Sequence, residues 1–220
     1  MGFFITIEGV EGAGKSTAIG FIRQWFKQSH IVYQLTREPG GTPLAEHIRG
    51  LLLAEHDEPV FDTTELLLLF AARSQNMELH IKPALEEGKV VLCDRFTDAT
   101  YAYQSGGRGM DEKDISVLEN LVQGVLRPDL TLLLDIDPLL GLERAGSRGC
   151  QDGGQLDRIE KENPDFFIRV RQAYLDRAQR YPEQYEIVDA SGAIEQVHQQ
   201  IRVVLERRMG AFVNQQGING

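Results

Sequence analysis

Eight residues near the N-terminus, Gly9-Val10-Glu11-Gly12-Ala13-Gly14-Lys15-Ser16, constrain this 220-residue chain more than any other stretch. They match G-x-x-x-x-G-K-[ST], a pattern that chance would place in only ~0.4% of chains of this length and composition. The glycines let successive backbone N–H groups converge on phosphate oxygens. Lys15 can reach the β- and γ-phosphates, and the Ser16 hydroxyl can ligate Mg²⁺. The motif carries this meaning only between a strand and a helix, and both are predicted here. Phe3-Phe4-Ile5-Thr6-Ile7 is β-branched and aromatic, short, and ended by Glu8-Gly9. After the turn, Ala18, Phe21, Ile22 and Trp25 fall at i, i+3, i+4 and i+7, the stripe of an amphipathic helix.

The same alternation continues along the chain. Residues 31–35, 90–93, 130–134 and 185–188 read as four further strands, each apolar on both faces and separated from the next by helical patterns. Thr42-Pro43 reads as N-cap and first residue of a helix through about Leu53. Asp62-Thr63-Thr64-Glu65 reads as a capping-box variant opening a long helix from Leu66 to about Lys82. A last helix is expected over about Ala193–Met209. Doubly apolar strands joined by helical crossovers mean a parallel sheet wrapped by helices.

Composition removes several function classes. The net charge of −10 disfavours binding along a nucleic-acid backbone, which needs clustered unpaired cations. The longest apolar run, Leu66 to Ala72, is cut by Arg73 and falls far below the roughly 20 residues of a membrane-spanning helix. Cys93 and Cys150 form no CxxC, and the five histidines show no metal-ligand spacing, so a cytoplasmic chain without a zinc site or disulfide framework is expected. Met1-Gly2 opens a loose myristoylation pattern, but residues 3–7 are spent as a buried strand.

A phosphate cradle does not by itself name a reaction. No asparagine is followed by lysine, so the N-K-x-D guanine motif of GTPases is missing. A nucleic-acid ATPase should show a basic face, and this chain is acidic. A small-molecule kinase needs a second anion site facing the first and an element that closes over both. Candidates lie at strand ends, where ligands of open α/β sheets bind: Thr36-Arg37-Glu38-Pro39-Gly40-Gly41 and Asp94-Arg95-Phe96.

With these segments the chain resembles the bacterial thymidylate kinase family of nucleoside monophosphate kinases. The resemblance is carried by Glu8-Gly9 with the P-loop, Thr36 to Gly41, Phe70-Ala71-Ala72-Arg73, Asp94-Arg95, Thr100-Tyr101-Ala102-Tyr103-Gln104, Gly107-Arg108-Gly109 and Leu156-Asp157-Arg158. It implies transfer of the γ-phosphoryl of ATP to dTMP with Mg²⁺, a likeness to homodimers, and no nucleic-acid or membrane partner. The alternatives are a P-loop kinase for another nucleoside monophosphate, a nucleotide-dependent switch, or a nucleic-acid ATPase. The fold implied is the three-layer α/β/α P-loop kinase fold: a five-stranded parallel sheet, helices on both faces and a short lid.

Residue roles follow from the resemblance. Gly9, Val10, Glu11, Gly12, Ala13, Gly14, Lys15, Ser16 and Thr17 would hold ATP, with Lys15 catalytic. Arg95 would grip the 5′-phosphate of dTMP with Arg37 and Arg49. Asp94 would sit near Mg²⁺ through water, with Asp135 a rival, and Glu11 would meet the deoxyribose 3′-hydroxyl. Phe70 would stack on thymine and Arg73 would donate to its O4. Thr100 and Gln104 would pair with the imide edge, and Tyr103 would close over C2′. The P-loop holds no extra basic residue, so a transition-state cation must come from a lid at about 144–158. Arg148 is the first choice, on a polar Gly-rich stretch (146–155) read as a loop, then Arg144, with Arg158 beyond. Residues 1–210 read as a single domain and 211–220 as a flexible tail.

Overall fold

The computed structural model describes residues 2–152 and 157–215; the side chains of 147–152, 214 and 215 lie outside that description. Five strands, β1 (Phe3–Glu8), β2 (Tyr33–Arg37), β3 (Val90–Asp94), β4 (Leu130–Asp135) and β5 (Tyr185–Asp189), form an all-parallel sheet in the order β2-β3-β1-β4-β5. Helices α1 (Lys15–Gln28), α2 (Pro43–Leu53), α3 (Asp62–Asn76), α4 (Lys82–Glu86), α5 (Thr97–Thr100), α6 (Glu112–Val122), α7 (Pro138–Asp152), α8 (Pro164–Arg180) and α9 (Ile194–Gln215) surround it. This is the three-layer α/β/α arrangement.

The doubly apolar strands bury both faces. Ile5, Ile7, Val90, Leu92, Leu130 and Leu132 join one core with Ile22 and Phe26 of α1 and Phe167 and Val170 of α8. On the other face Phe4, Val91 and Cys93 pack with Met77, Ile81 and Phe96. Register levels the strand ends: Ile7 and Arg37 both pair with Asp94, and Glu8 pairs with Leu133. The loops that follow β1, β2 and β3 therefore open on one edge of the sheet, beside the switch in strand order at β1.

Most boundaries fall where the sequence puts them. The expected helix at Thr42-Pro43 is α2, and the Thr42 hydroxyl accepts the Ala45 amide at 3.2 Å. Several expectations need correction. β2 begins two residues later than expected, because Ile31 N donates to Phe26 O and His30 has φ +53°, so the chain is still turning there. The capping box does not form. Phe61 stands at the N-cap of α3 without a side-chain hydrogen bond, and Glu65 turns inward to other partners. The long helix expected to Lys82 widens into a π-helical stretch, Met77–Ile81, before α4. A second π-helical stretch, Tyr101–Gly107, carries α5 onward and presses on α8. There a Cβ on Gly106 would lie 2.5 Å from the Ala173 Cβ, and one on Gly107 would lie 2.4 Å from the Phe166 ring.

The 146–155 stretch read as a loop is helical as far as Asp152, within α7; residues 153–156 lie outside the described residues. The final helix runs six residues past the expected Met209 end, through Gln215, because Phe212 finds a partner in the Phe3 ring at 5.6 Å. The part of the expected tail from 216 onward lies outside the described residues.

Candidate active site

A cavity of about 470 Å³ opens at the C-terminal edge of the sheet, bounded by the P-loop, α2, α3, the residues after β3 and the segment Asp157–Glu160. Its two ends are built differently.

One end is the P-loop. Gly12 and Gly14 take φ of +71° and +88°, which a residue with a Cβ adopts only with strain. No side chain caps Gly14, so the first-turn amides of α1 and the dipole behind them face the cavity. α7 sits directly against this loop, where a Cβ on Gly12 would lie 1.8 Å from Gly141 O. Lys15 Nζ folds back and donates to Gly9 O and Val10 O, both at 3.0 Å. Burial first and the Arg95 charge second lower its pKa to about 8.

Arg95, at φ +64°, crosses the same space. It donates to Gly9 O (3.0 Å), the Tyr174 hydroxyl (3.2 Å), the Tyr103 hydroxyl (3.0 Å) and Glu11 Oε1 (2.8 Å). Tyr103 also donates to Glu11 at 2.9 Å. Burial pushes the Glu11 carboxyl up, but Arg95, Lys15 and Tyr103 together overcome it and bring the pKa down to about 2. Beneath the loop, Glu8 is fully buried and accepts from Phe96 N and the Tyr174 hydroxyl, each at 2.7 Å. Burial, with Asp98 adding to it, raises the Glu8 pKa to about 8. Asp94 Oδ1 is buried without a hydrogen-bond partner, and Asp94 and Ser16 both border the cavity.

The other end is set by α3, whose Glu65, Leu69 and Arg73 recur every four residues and so share one face toward the cavity. Arg73 is buried. Its Nε donates to Glu38 Oε2 at 2.6 Å and its Nη2 to the Thr100 hydroxyl at 2.9 Å, while Nη1 has no partner. Asn76 completes Glu38 with a donation at 3.2 Å and accepts from the Thr36 hydroxyl at 2.6 Å. Burial holds Glu38 above the usual carboxylate pKa despite Arg73. Glu65 accepts from Gln104 Nε2 (2.9 Å) and Arg108 Nε (2.7 Å) and also pairs with Arg158.

A family model described as thymidylate kinase matches residues 7–201, nearly the whole of this framework. The chain belongs to the thymidylate kinase family. The chain is 54% identical over 204 residues to proteins named thymidylate kinase from Pseudomonas putida (strain GB-1) and Ectopseudomonas mendocina (strain ymp). Each of those alignments covers 93% of this chain and 95% of the relative. The crystal structure of thymidylate kinase from Ehrlichia chaffeensis superposes with a TM-score of 0.74 at 31% identity, covering 93% of this chain and 98% of that one. Membership in the thymidylate kinase family makes the chain an ATP-dependent nucleoside monophosphate kinase, a phosphotransferase. No helix among the described residues is long and apolar enough to cross a membrane.

Within this thymidylate kinase framework, Glu11, Lys15, Ser16, Arg37, Arg49, Arg73, Asp94, Arg95, Thr100, Tyr103 and Gln104 all border one cavity, as do Gly12 and Gly14. Arg37 and Arg49 stand at its mouth, Arg37 paired with Glu46 at 2.7 Å and Arg49 donating to Pro39 O at 3.0 Å. Phe70 does not border it. The ring lies in an apolar cluster with Leu66, Tyr101 and Ile115, with the Arg73 guanidinium 4.7 Å from its centroid, because Leu69 and Arg73 take the cavity face of α3. Asp135, the rival for the metal, has both carboxylate oxygens held by Arg171 at 2.7 and 2.8 Å.

Arg144 donates to Ala190 O and Ser191 O, away from the cavity, and the Arg148 side chain lies outside the described residues. Arg158 is anchored on Leu52 O and Glu65. Sequence reasoning quoted Glu8, Glu38 and Arg108 within motif segments without giving them a role, and missed Glu65, Asn76 and Tyr174 as parts of the site. The four-residue spacing of Glu65, Leu69 and Arg73 was the signal available for Glu65.

Proposed function

We propose that this chain transfers the γ-phosphoryl group of ATP to dTMP, giving dTDP and ADP. The observation that carries the reading is the base end of the cavity. There a buried guanidinium N–H of Arg73 without a partner and the Gln104 amide border the same space, a donor and an acceptor for the O4 and N3–H of thymine.

ATP phosphates lie along Gly9–Thr17, and Lys15 exchanges two loop carbonyls for phosphate oxygens. Because Arg95 is already desolvated and ordered, its charge acts on the 5′-phosphate without reorganising solvent, with Arg37 and Arg49 completing the grip. Glu11, kept ionised, accepts from the 3′-hydroxyl, and Tyr103 occupies the space a 2′-hydroxyl would need. Mg²⁺ fits the unpartnered Asp94 Oδ1, acting through water, and the Ser16 hydroxyl. When bound it neutralises charge on the phosphates. Arg148 supplies the transition-state cation from a lid at about 144–158, since Arg144 is held away from the cavity and Arg158, which borders it, is tied to Leu52 O and Glu65.

The setting is cytoplasmic and, with a net charge of −10, free of nucleic acid. Homodimer formation belongs to the same reading, supported by Leu67 on α3 and Val117 and Leu121 on α6, all exposed. Coupled ADP release measured across nucleoside monophosphates, against DNA or no acceptor, tests it. Turnover should be fastest with dTMP; release that ignores dTMP and depends on DNA would overturn the reading.

A further inference from the structure

Glu65 has no place in the chemistry above, yet it is one of the most buried acids in the chain, at 2% exposure. It stands on the cavity face of α3 and gathers three donors: Gln104 Nε2 at 2.9 Å, Arg108, which reaches both oxygens at 2.7 and 3.2 Å, and Arg158. Arg108 is shared with Glu162 at 3.0 Å, and Arg158 adds a second guanidinium to Glu65. Their effect is to keep Glu65 ionised against its burial, and the carboxyl is held below the usual range by them.

An ionised carboxylate only accepts. The side-chain amide of Gln104 carries a donor end and an acceptor end of nearly the same shape, and nothing in its own structure decides which end meets a ligand. Facing an obligate acceptor, Gln104 must turn its NH₂ toward Glu65. Its Oε1 is then the end left for the cavity that Gln104 borders, and no hydrogen bond to Oε1 is present among the described residues. Beside it Arg73 offers Nη1, a donor that cannot become an acceptor.

We infer that Glu65 is a positioning residue for base selectivity, fixing the Gln104 amide so that its oxygen faces the base. Resting on the dTMP reading, this adds where discrimination between pyrimidines comes from. A thymine or uracil ring presents O4 as acceptor and N3–H as donor, complementary to Arg73 and Gln104. Cytosine presents an amino donor and a bare N3, so both contacts invert. If Gln104 could flip, it would donate to the cytosine N3 and half the discrimination would vanish. The second tie, Arg158, comes from the segment Asp157–Glu160, so that segment helps to hold the base reader in place.

The test compares kcat/KM for dTMP, dUMP and dCMP in the parent, in Glu65→Gln and in Glu65→Asp, with thermal unfolding of each. The parent comes first, and failure to phosphorylate dTMP there rejects the proposed function itself. In Glu65→Gln the new amide can donate or accept, freeing Gln104 to flip. The dTMP-to-dCMP ratio should shrink about tenfold or more, with KM for ATP unchanged. Glu65→Asp keeps the charge for both arginines but withdraws it from Gln104, and it should shrink the ratio too even if the glutamine variant fails to fold. In a Gln104→Leu background neither change at 65 should alter the ratio further. A uniform fall for all three nucleotides, or an unchanged ratio in a folded variant, assigns Glu65 to structure alone and overturns the inference.

Discussion

At the phosphate end of the cavity, Lys15 and Arg95 are cations held largely by the loop itself, through Gly9 O, Val10 O and Glu11, with two tyrosine hydroxyls also serving Arg95. At the base end, Arg73 is a cation whose partners, Glu38 and Thr100, leave Nη1 without a hydrogen-bond partner. The Arg95 and Glu11 side chains keep 14% and 21% of their surface in contact with solvent, whereas Arg73 and Glu38 keep 3% each. The phosphate end must trade partners when its ligand arrives, and the base end only has to be filled. A ligand carrying several negative charges drives the first kind of exchange. A neutral ring has little electrostatic energy to offer, so the groups that read it are set beforehand.

The largest effect should come from Lys15→Ala. Lys15 acts on charge that develops in the transition state, so kcat should fall about 10³-fold, about 4 kcal/mol. The melting temperature should hardly move, because the Lys15 bonds in the free protein are to carbonyls that water can serve. Steady-state kinetics beside calorimetry check this; a large loss of stability would erase the contrast between the ends.

Next come Glu38→Ala and Glu11→Ala, compared by urea unfolding. Removing Glu38 strands a buried guanidinium and should cost about 3 kcal/mol or more. Removing Glu11 leaves Arg95 with Gly9 and two tyrosine hydroxyls and should cost about 1–2 kcal/mol. Equal losses would mean that the two ends are equally committed.

Glu8 provides a pH test of the floor under the phosphate end. An unfolded chain releases the Glu8 proton near 4.5, whereas the fold keeps it until about 8. Between those values the folded state binds more protons, so this group's contribution to stability is present at low pH and is lost as pH rises. From pH 5 to 7 the parent should lose roughly 2 kcal/mol more than Glu8→Gln. Unfolding curves for the two at pH 5, 6 and 7 that run parallel would rule the proton out.

The smallest change is Gln104→Ala, which should weaken dTMP by about 1–2 kcal/mol while leaving KM for ATP alone. An equal rise in both KM values would show that the base end and the phosphate end are coupled.

These contrasts also mark what could be read from the chain. The P-loop, the five strands and the Thr42 cap were legible because each rests on local chemistry: a spacing, an apolar run, a hydroxyl three residues before an amide. The base end was legible only through resemblance. Glu65 reads locally as a helix cap and becomes a buried ion-pair centre through Arg108 and Arg158, 43 and 93 residues away. Phe70 is a stacking ring only by resemblance and reads locally as the end of a Leu-rich run; Leu69 and Arg73 take the cavity face and leave its ring in the apolar cluster. The π-helical widening at Tyr101–Gly107 leaves no periodic signature, since one extra residue in a turn shifts a stripe without erasing it. Strand β2 was misplaced by two residues because Ile31 is as apolar as the strand that follows it.

The strand order has a further consequence, for how the molecule assembles. β1 is the first of the five strands to leave a ribosome and the middle strand of the finished sheet. Its Thr6 hydroxyl meets that of Thr131, 125 residues later, and Phe3 meets Phe212 near the other terminus. At about 5–20 residues per second, β1 waits roughly 6–25 seconds for its second neighbour to be made. Throughout that wait at least one edge of β1, the strand that leads into the glycine loop, is open. The cradle that the sequence announces first therefore gains its second flanking strand only after more than half of the chain has been made.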